Sequence, residues 1–264
     1  MKPVVPIAVF LGFAASAASA HADKGKALID EVLQTVGSYD DLKKKGDVEY
    51  TYVYESDDGK RRDVSVERYR FNGELSWAKY SERSYQLVPD LKGEVVQGWD
   101  GTSAWTTIDG KPVADEKMNG MSRFFRKTNF YWFAMMQKLG DPGLTYEYKG
   151  QKTVDGKAFE LVKVGFESNV GDSSDTYLLY INPETKMIDQ FLFTVTAFGM
   201  TDPLLMTVEY KDFDGVKLPV ERKYTGSDWE GSVAEDAQWT YERMQNLKFG
   251  NGFETTAFKA PAAG

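Results

Sequence analysis

Alternating apolar and polar positions dominate the chain from residue 47 onward. Val48, Tyr50 and Tyr52 share one face of a predicted strand, and the residues between them point to the other face. The same period of two recurs in residues 62–71, 75–80, 102–108, 157–166, 176–181, 187–197, 204–211, 216–224 and 238–247. Because these strands follow one another without intervening helices, the pattern predicts an antiparallel sheet and excludes a parallel βαβ sheet.

Turn-forming dipeptides separate the predicted strands at regular intervals. Asp-Gly and Asn-Gly favour the positive φ angles that tight hairpin turns require. The Asp-Gly pairs begin at Asp58, Asp100, Asp109, Asp155 and Asp214, and the Asn-Gly pairs begin at Asn72, Asn119 and Asn251. The chain is therefore predicted to be a succession of β-hairpins.

Two segments have a helical rather than an alternating pattern. In residues 23–36, Leu28, Val32 and Val36 form an apolar stripe that Gly37 ends. Residues 121–139 are predicted to form a second helix, whose stretch 130–136 has no polar face and must be covered on most sides. A β-rich chain with one such central helix predicts a curved sheet whose concave side the helix fills.

The N-terminus has the features of an export signal. Lys2 precedes an apolar stretch over residues 4–18, and Ala18-Ser19-Ala20 offers the small-x-small pattern of a cleavage site, with Ala20-His21-Ala22 as a second candidate. The stretch is shorter than the approximately 20 residues of a membrane span. We therefore expect residues 1–20 to be removed, and residues 21–264 to form a single domain in the periplasm.

Charge and missing residue types exclude several functions. The formal net charge is −8, so a nucleic-acid ligand is not expected, since phosphate contacts need clustered basic residues. The chain has no cysteine, and its one histidine is His21. This excludes disulfides, thiolate or Ser-His-Asp catalysis and histidine-based metal sites, and leaves only carboxylate, lysine or tyrosine chemistry.

Aromatic and methionine side chains at alternating strand positions are candidates for an apolar interior. They are Trp77, Trp99, Trp105, Phe191, Phe193, Met200, Leu205 and Met206. Such residues suit flexible apolar ligands, but they also fill ordinary β-domain cores. Both interpretations stay open on the sequence alone.

A short basic cluster begins the second predicted helix. Arg123, Arg126 and Lys127 flank Phe124 and Phe125, an arrangement that could touch phospholipid head groups. The alternative is a solvated helix start whose long side chains cover apolar surface.

Two carboxylate pairs are similar in part to metal and hydrolase sites. Asp172 and Asp175 flank two serines, and Asp212-Phe213-Asp214-Gly215 superficially resembles a calcium loop. The second lacks the later ligands of that loop and is better explained as a turn. A carboxylate-dependent hydrolase is a minor alternative, and no metal or cofactor is expected.

Three stretches carry a resemblance to a known family. Residues 139–143 read Leu-Gly-Asp-Pro-Gly, residues 175–185 contain Tyr-Ile-Asn-Pro-Glu-Thr, and residues 210–219 contain Gly-Val-Lys-Leu-Pro. Over residues 47–247 the chain resembles exported proteins of the LolA/LolB-like superfamily of outer-membrane lipoprotein-sorting proteins, in an uncharacterised branch. The resemblance implies a half-open antiparallel β-barrel of about 11 strands, with helices plugging its concave face and an apolar cavity that accepts acyl chains.

The resulting hypothesis is a periplasmic carrier or sensor for a lipid, an acyl chain or a lipidated protein. The candidate ligand contacts are Phe125, Trp132, Phe133 and Met136 of the helix and Trp105, Phe193 and Met206 of the sheet. No catalytic residue is proposed. A structural protein with a filled barrel that acts through its surface is the main alternative.

Overall fold

The protein is described by a computed structural model that covers residues 11–85, 92–167 and 175–261. Its described part contains one antiparallel sheet of 13 strands, in the order β6-β5-β4-β3-β2-β1-β13-β12-β11-β10-β9-β8-β7. The strands are β1 (Asp47–Ser56), β2 (Arg62–Arg70), β3 (Leu75–Arg83), β4 (Val95–Trp99), β5 (Ala104–Ile108), β6 (Lys111–Pro112), β7 (Leu144–Val154), β8 (Lys157–Phe166), β9 (Tyr177–Ile181), β10 (Ile188–Val195), β11 (Met200–Phe213), β12 (Val216–Gly226) and β13 (Thr240–Phe249).

The sheet is curved and stays open between its end strands, β6 and β7. The half-open antiparallel barrel predicted from the sequence is thus confirmed. The sheet has 13 strands, whereas the resemblance implies about 11. The alternation predicted ten of the 13 strands and missed β4, β6 and β7. Strand β6 has only two residues, and β7 alternates between half-buried and exposed positions without a strong apolar face.

Tight turns join the hairpins as the dipeptides predict. Both residues of Asp109-Gly110, Asp155-Gly156 and Asp214-Gly215 have positive φ angles, from 47° to 86°. These values fit type I′ turns, which match the twist of the flanking strands. The predicted hairpin rhythm is confirmed at these positions.

Three α-helices complete the fold: α1 (Leu11–Val36), α2 (Tyr39–Lys44) and α3 (Glu116–Lys138). Helix α1 contains the predicted helix 23–36 and begins earlier, while residues 1–10 of the predicted export signal lie outside the described residues. Helix α3 also begins earlier than predicted, because the Asp115 side chain accepts a hydrogen bond from the backbone N–H of Met118 at 2.8 Å. None of the helices in the described ranges is long and apolar enough to span a membrane.

Helix α3 lies in the concave face of the sheet. Its apolar residues divide between three clusters of buried side chains: one with β8–β11 and α1, one with β1, β2 and β12, and a small one with β3 and β4. Helix α1 packs on the edge strand β7, where its Gly25 lies so close that an added Cβ would be 3.1 Å from the Tyr148 nitrogen. The core therefore sits between the helices and the concave face.

The convex face is also covered in two places. Loop 227–239 covers an apolar cluster of β8–β11 that includes Tyr180 and Leu192. The C-terminal segment covers β3–β5, where the Trp105 indole N–H donates a hydrogen bond to the Phe258 carbonyl at 2.8 Å. Both faces of the sheet thus contain buried aromatic side chains.

The contact between Gly98 and Trp105 gives a stability prediction. A Cβ at Gly98 would lie 2.2 Å from the Trp105 ring. Gly98→Ala should therefore lower the free energy of unfolding in urea by about 1–3 kcal/mol, the usual cost of overpacking. Gly120→Ala in α3 is the control, since a Cβ added there would have nothing within 4 Å. That control should raise stability by about 0.5–1 kcal/mol, and an equal effect of both changes would contradict the packing argument.

Candidate ligand site between the central helix and the sheet

The N-terminal half of α3 faces strands β2–β5 with polar side chains. Ser122, Arg126 and Asn129 follow the i, i+4, i+7 spacing that places residues on one side of a helix, and all three are buried. The Ser122 hydroxyl is hydrogen-bonded to Thr106 of β5 at 2.5 Å. This side of α3 therefore makes a polar contact with the sheet. Only the apolar stretch 130–136 of the helix was predicted to be buried, so this contact was not predicted from the sequence.

The centre of that contact is a buried ion pair. The Arg126 guanidinium binds the Glu67 carboxylate of β2 with two nitrogens, one of them at 3.2 Å, and both side chains are fully buried. The same guanidinium donates to the Tyr80 hydroxyl at 2.9 Å. Burial alone would lower the pKa of Arg126, but the negative charge of Glu67 raises it, so the arginine stays charged.

Neighbouring hydroxyl groups satisfy the remaining oxygen sites of Glu67. Ser65 donates to the carboxylate at 2.8 Å and Tyr69 at 3.0 Å. Burial raises the pKa of Tyr69 and Tyr80 well above the usual tyrosine range. Both phenols therefore remain protonated donors at neutral pH, and the network holds its charge on the one carboxylate and the one guanidinium.

A second set of polar contacts fixes the C-terminal half of α3. Arg222 of β12 pairs with Glu242 of β13 at 3.0 Å and donates to the backbone carbonyl of Trp132 at 2.6 Å. The Gln137 side chain donates to the carbonyls of Val36 and Lys217 at 3.1 and 2.9 Å. Together with the Arg126 network, these bonds define one position of α3 along the sheet.

Further along α3, residues 131–136 meet β9–β11 through aromatic and methionine side chains. The Trp132 ring is stacked on Phe191, with centroids 6.0 Å apart, and meets Phe193 edge-on at 5.1 Å. Tyr131 is hydrogen-bonded to Tyr177 through the side chains. We call this contact the apolar seam. It consists of Tyr131, Trp132, Met135 and Met136 of α3 and Tyr177, Phe191, Phe193 and Met206 of the sheet.

The rim of the apolar seam lies at the hairpin between β10 and β11. A short 3-10 helix, Thr196–Phe198, forms the tip of this hairpin. The Phe198 ring contacts Phe124 of α3 with centroids 4.8 Å apart. The tip thus reaches from one wing of the open barrel to the helix in its centre.

The structure brings together four of the seven predicted ligand contacts. Trp132, Met136, Phe193 and Met206 meet in the apolar seam or pack directly against it. Tyr131 and Tyr177 of the seam were not predicted, because a tyrosine in a helix or strand gives no sign of which neighbour it faces.

The other three predicted contacts lie elsewhere. Phe133 packs with Tyr50 and Tyr69 against β1 and β2, and Phe125 packs with Val95 on the small β3–β4 cluster. Trp105 points to the convex face, where the C-terminal segment covers it. The alternation in β5 fixes which residues share a face, but it does not say which face is concave.

The predicted basic cluster is corrected at one position. Arg126 does not reach the surface, because the helix turns it toward Glu67, and its side chain is fully buried. Arg123 is exposed and Lys127 is half-buried, and both lie near the Trp99 ring, at 6.0 and 5.5 Å from its centroid.

The carboxylates considered for metal binding or hydrolysis have structural partners. Asp212 accepts a hydrogen bond from the Gly215 N–H at 2.8 Å, which confirms a turn at this position. Asp175 accepts from the Thr196 N–H at 2.7 Å, while Asp172 lies outside the described residues. Within the described ranges, no group of three or more His, Cys, Asp or Glu side chains is arranged to hold a metal ion.

A surface cleft of about 410 Å³ lies at the start of β7, the end of β8 and the start of β9. Its lining is mixed and includes Glu147, Lys163, Phe166 and Asp175. None of the seven predicted ligand contacts belongs to it.

The ion pair under α3 gives a second stability prediction. Glu67→Gln would leave the Arg126 charge buried without a counter-charge, so the free energy of unfolding should fall by about 3–5 kcal/mol. Glu230→Gln, at the exposed partner of Lys152, should cost less than about 1 kcal/mol. The double variant Glu67→Gln/Arg126→Met should recover stability relative to Glu67→Gln. Urea unfolding followed by circular dichroism measures all three, and a Glu67→Gln variant as stable as the control would contradict the assignment.

Comparisons with solved structures identify the fold. A DUF1329 family protein from Desulfovibrio piger superposes with a TM-score of 0.52 at 11% identity, covering 89% of this chain and 97% of the other. A domain from Vibrio parahaemolyticus, described as a putative outer membrane lipoprotein-sorting protein domain, has a TM-score of 0.50 at 10% identity, covering 90% and 97%. At such identities the likeness establishes a shared fold.

Two further comparisons complete the assignment. A search of curated proteins gives no significant match. The profile of a family of unknown function, DUF6503, matches residues 7–203, which is most of the chain. The protein therefore belongs to the family DUF6503. The predicted resemblance is confirmed at the level of the fold, which the chain shares with the lipoprotein-sorting protein domain.

Proposed function

We propose that the protein is an exported carrier or sensor for an acyl-bearing ligand, namely a lipid, an acyl chain or a lipidated protein, which it holds in the apolar seam. The observation that carries this proposal is the difference between two contacts of α3 with the sheet. The N-terminal half of the helix is bound to β2–β5 by a buried ion pair, and residues 131–136 meet β9–β11 through aromatic and methionine side chains.

The two contacts differ in the free energy needed to separate the helix from the sheet. Opening the polar side would leave Arg126 or Glu67 buried without its partner, which costs several kcal/mol. Opening the apolar seam exposes apolar surface, and an inserted acyl chain restores that burial at about 25 cal/mol per Å². An acyl chain can therefore replace the apolar contacts of the seam, although not the hydrogen bond between Tyr131 and Tyr177, and it cannot replace the ion pair of the polar side.

Binding rather than catalysis fits the charged groups of the concave face. Glu67 and Glu242 are both buried and each is paired with an arginine. A carboxylate bound to an arginine inside the protein is not free to exchange a proton with a substrate. The proposed location is the periplasm, on the basis of the export signal pattern in residues 1–20.

The close packing of the seam also fits a second candidate function, that of a structural protein with a filled interior. Trp132 contacts Tyr177, Phe191 and Phe193 directly, so the interior is filled by the protein's own side chains in this conformation. A protein whose interior stays filled would act through its outer surface. Ligand extraction and uptake distinguish the two candidates.

Replacing Trp132 tests the proposed site. Trp132→Asp places a charge in the apolar seam and should reduce uptake of a fluorescent fatty acid at least about tenfold, since the apolar burial of one large side chain is worth more than that factor. Acyl species extracted with organic solvent and detected by mass spectrometry should be lost in parallel. Trp229→Asp is the matched control, because Trp229 is 42% exposed in loop 227–239 and lies outside the seam.

The result counts only for variants that remain folded, which circular dichroism and thermal melting establish. Equal uptake by a folded Trp132→Asp variant and the wild type would contradict the site. A wild-type protein that yields no acyl species and binds no fatty acid would favour the filled-interior candidate.

A reversible bridge tests whether the seam opens. The chain has no cysteine, so the double variant Phe124→Cys/Phe198→Cys carries the only two thiols. The two rings are in contact in the wild type, with centroids 4.8 Å apart. Joining the thiols with a short bifunctional reagent should block fatty-acid uptake, and the two single-cysteine variants treated in the same way should bind normally. Unchanged uptake by the bridged protein would show that the ligand enters elsewhere.

A further inference from the structure

The tip of the β10–β11 hairpin exposes apolar side chains. Phe198 is 63% exposed and Met200 is 43% exposed, and they account for two of the four large apolar side chains exposed in the described part of the chain. Residues 196–201 contain no charged side chain, and Asp202, which follows them, is exposed. Exposed apolar residues that cluster, such as those at this tip, commonly mark a binding surface.

Hydrogen bonds hold this tip in a defined shape. The Asp175 carboxylate accepts from the Thr196 N–H at 2.7 Å and from its hydroxyl at 2.9 Å. Gly199 takes the left-handed conformation, with φ of 69°, and donates its N–H to the Thr196 carbonyl at 2.9 Å. The fold thus fixes Phe198 in an exposed position, with one edge of its ring against Phe124.

Basic side chains lie beside the tip on α3. Arg123 and Lys127 are one helical turn apart and flank Phe124, the residue that Phe198 contacts. Arg123 is exposed and Lys127 is half-buried. A protein with a net charge of −8 therefore presents cations next to Phe198, the most exposed phenylalanine among the described residues.

We propose that Phe198 and Met200, with Arg123 and Lys127 beside them, dock the protein on the surface of a phospholipid membrane. A membrane interface accepts apolar side chains at the level of the acyl chains, and cations at the level of the phosphates. A protruding tip suits this partner, because it can enter the interface without a complementary pocket. The long-range repulsion from the acidic remainder of the chain makes this contact weak and reversible.

Docking through this tip would bring the rim of the apolar seam to the membrane. Val195 and Leu204, at the base of the hairpin, pack against the buried residues of the seam. A ligand could therefore pass between membrane and seam without crossing water. This last consequence rests on the proposed function, whereas the membrane contact itself does not.

Vesicle flotation tests the proposal with the full-length mature protein. The probes are vesicles of phosphatidylcholine alone and of phosphatidylcholine mixed with phosphatidylglycerol. Phe198→Asp and Met200→Asp should each weaken vesicle binding at least about tenfold, since each removes an inserted apolar side chain and adds a charge. Trp229→Asp, on the exposed loop of the convex face, should bind as the wild type does.

The charge contribution has its own readout. Arg123→Glu/Lys127→Glu should lower binding to the phosphatidylglycerol vesicles more than binding to phosphatidylcholine, and added salt should reduce that difference. Equal binding of all variants to both vesicles would overturn the proposal.

A labelled tip shows whether this part of the protein enters the membrane. Ala197→Cys carries the only thiol of the chain and can be labelled with an environment-sensitive dye. Its emission should shift to the blue on vesicle addition, while a dye at Trp229→Cys should not respond. Vesicle binding without a shift at residue 197 would overturn the proposal, as would a shift caused by self-association in the absence of vesicles. The outcome is independent of ligand extraction, so a protein that docks but yields no acyl species would contradict only the proposed function.

Discussion

The ion pair between Arg126 and Glu67 fixes the position of helix α3 on the concave face of the sheet. Both side chains are fully buried, and each depends on the other for its charge to be tolerated away from water. Such a pair adds little net stability compared with an apolar contact, but a shift of α3 along the sheet would break it at a cost of several kcal/mol. The helix therefore has one position against β2–β5, and the flanking hydroxyl groups of Tyr69 and Tyr80 reinforce that position.

Beyond this ion pair and the polar contacts of Arg222 and Gln137, α3 meets β9–β11 mainly through aromatic and methionine side chains. The residues of the apolar seam carry no charge, so the separation of β9–β11 from α3 that the proposed function requires would leave no charge unpaired. A closed, filled interior is for this reason compatible with ligand binding. The hairpin tip contacts α3 through Phe198 and Phe124. The proposed membrane contact therefore adjoins the rim of the apolar seam.

Sequence patterns predicted the fold better than they predicted the site. Period-two alternation and Asp-Gly turns indicated the hairpins, since both act between near neighbours in the chain. Residues 123–127 were grouped because they are adjacent in sequence, yet a helix turns each residue by about 100° from the last. Ser122, Arg126 and Asn129 do show the spacing of one helix face, but spacing alone does not reveal whether that face meets water or a sheet. The face on which Trp105 lies was predicted wrongly for a related reason. Both faces of the sheet carry covered apolar side chains, so an apolar residue in a strand can belong to either face.

Photo-crosslinking with a diazirine-bearing fatty acid shows where a bound acyl chain lies in the protein. After irradiation and digestion, we expect labels in the peptides that contain Tyr131–Met136 of α3 and Tyr177–Phe193 of β9 and β10. The peptides with Tyr69 and Tyr80, under the polar side of the helix, should remain unlabelled. Labels confined to the surface cleft around Lys163, or spread evenly over the chain, would contradict the assignment of the apolar seam as the ligand site.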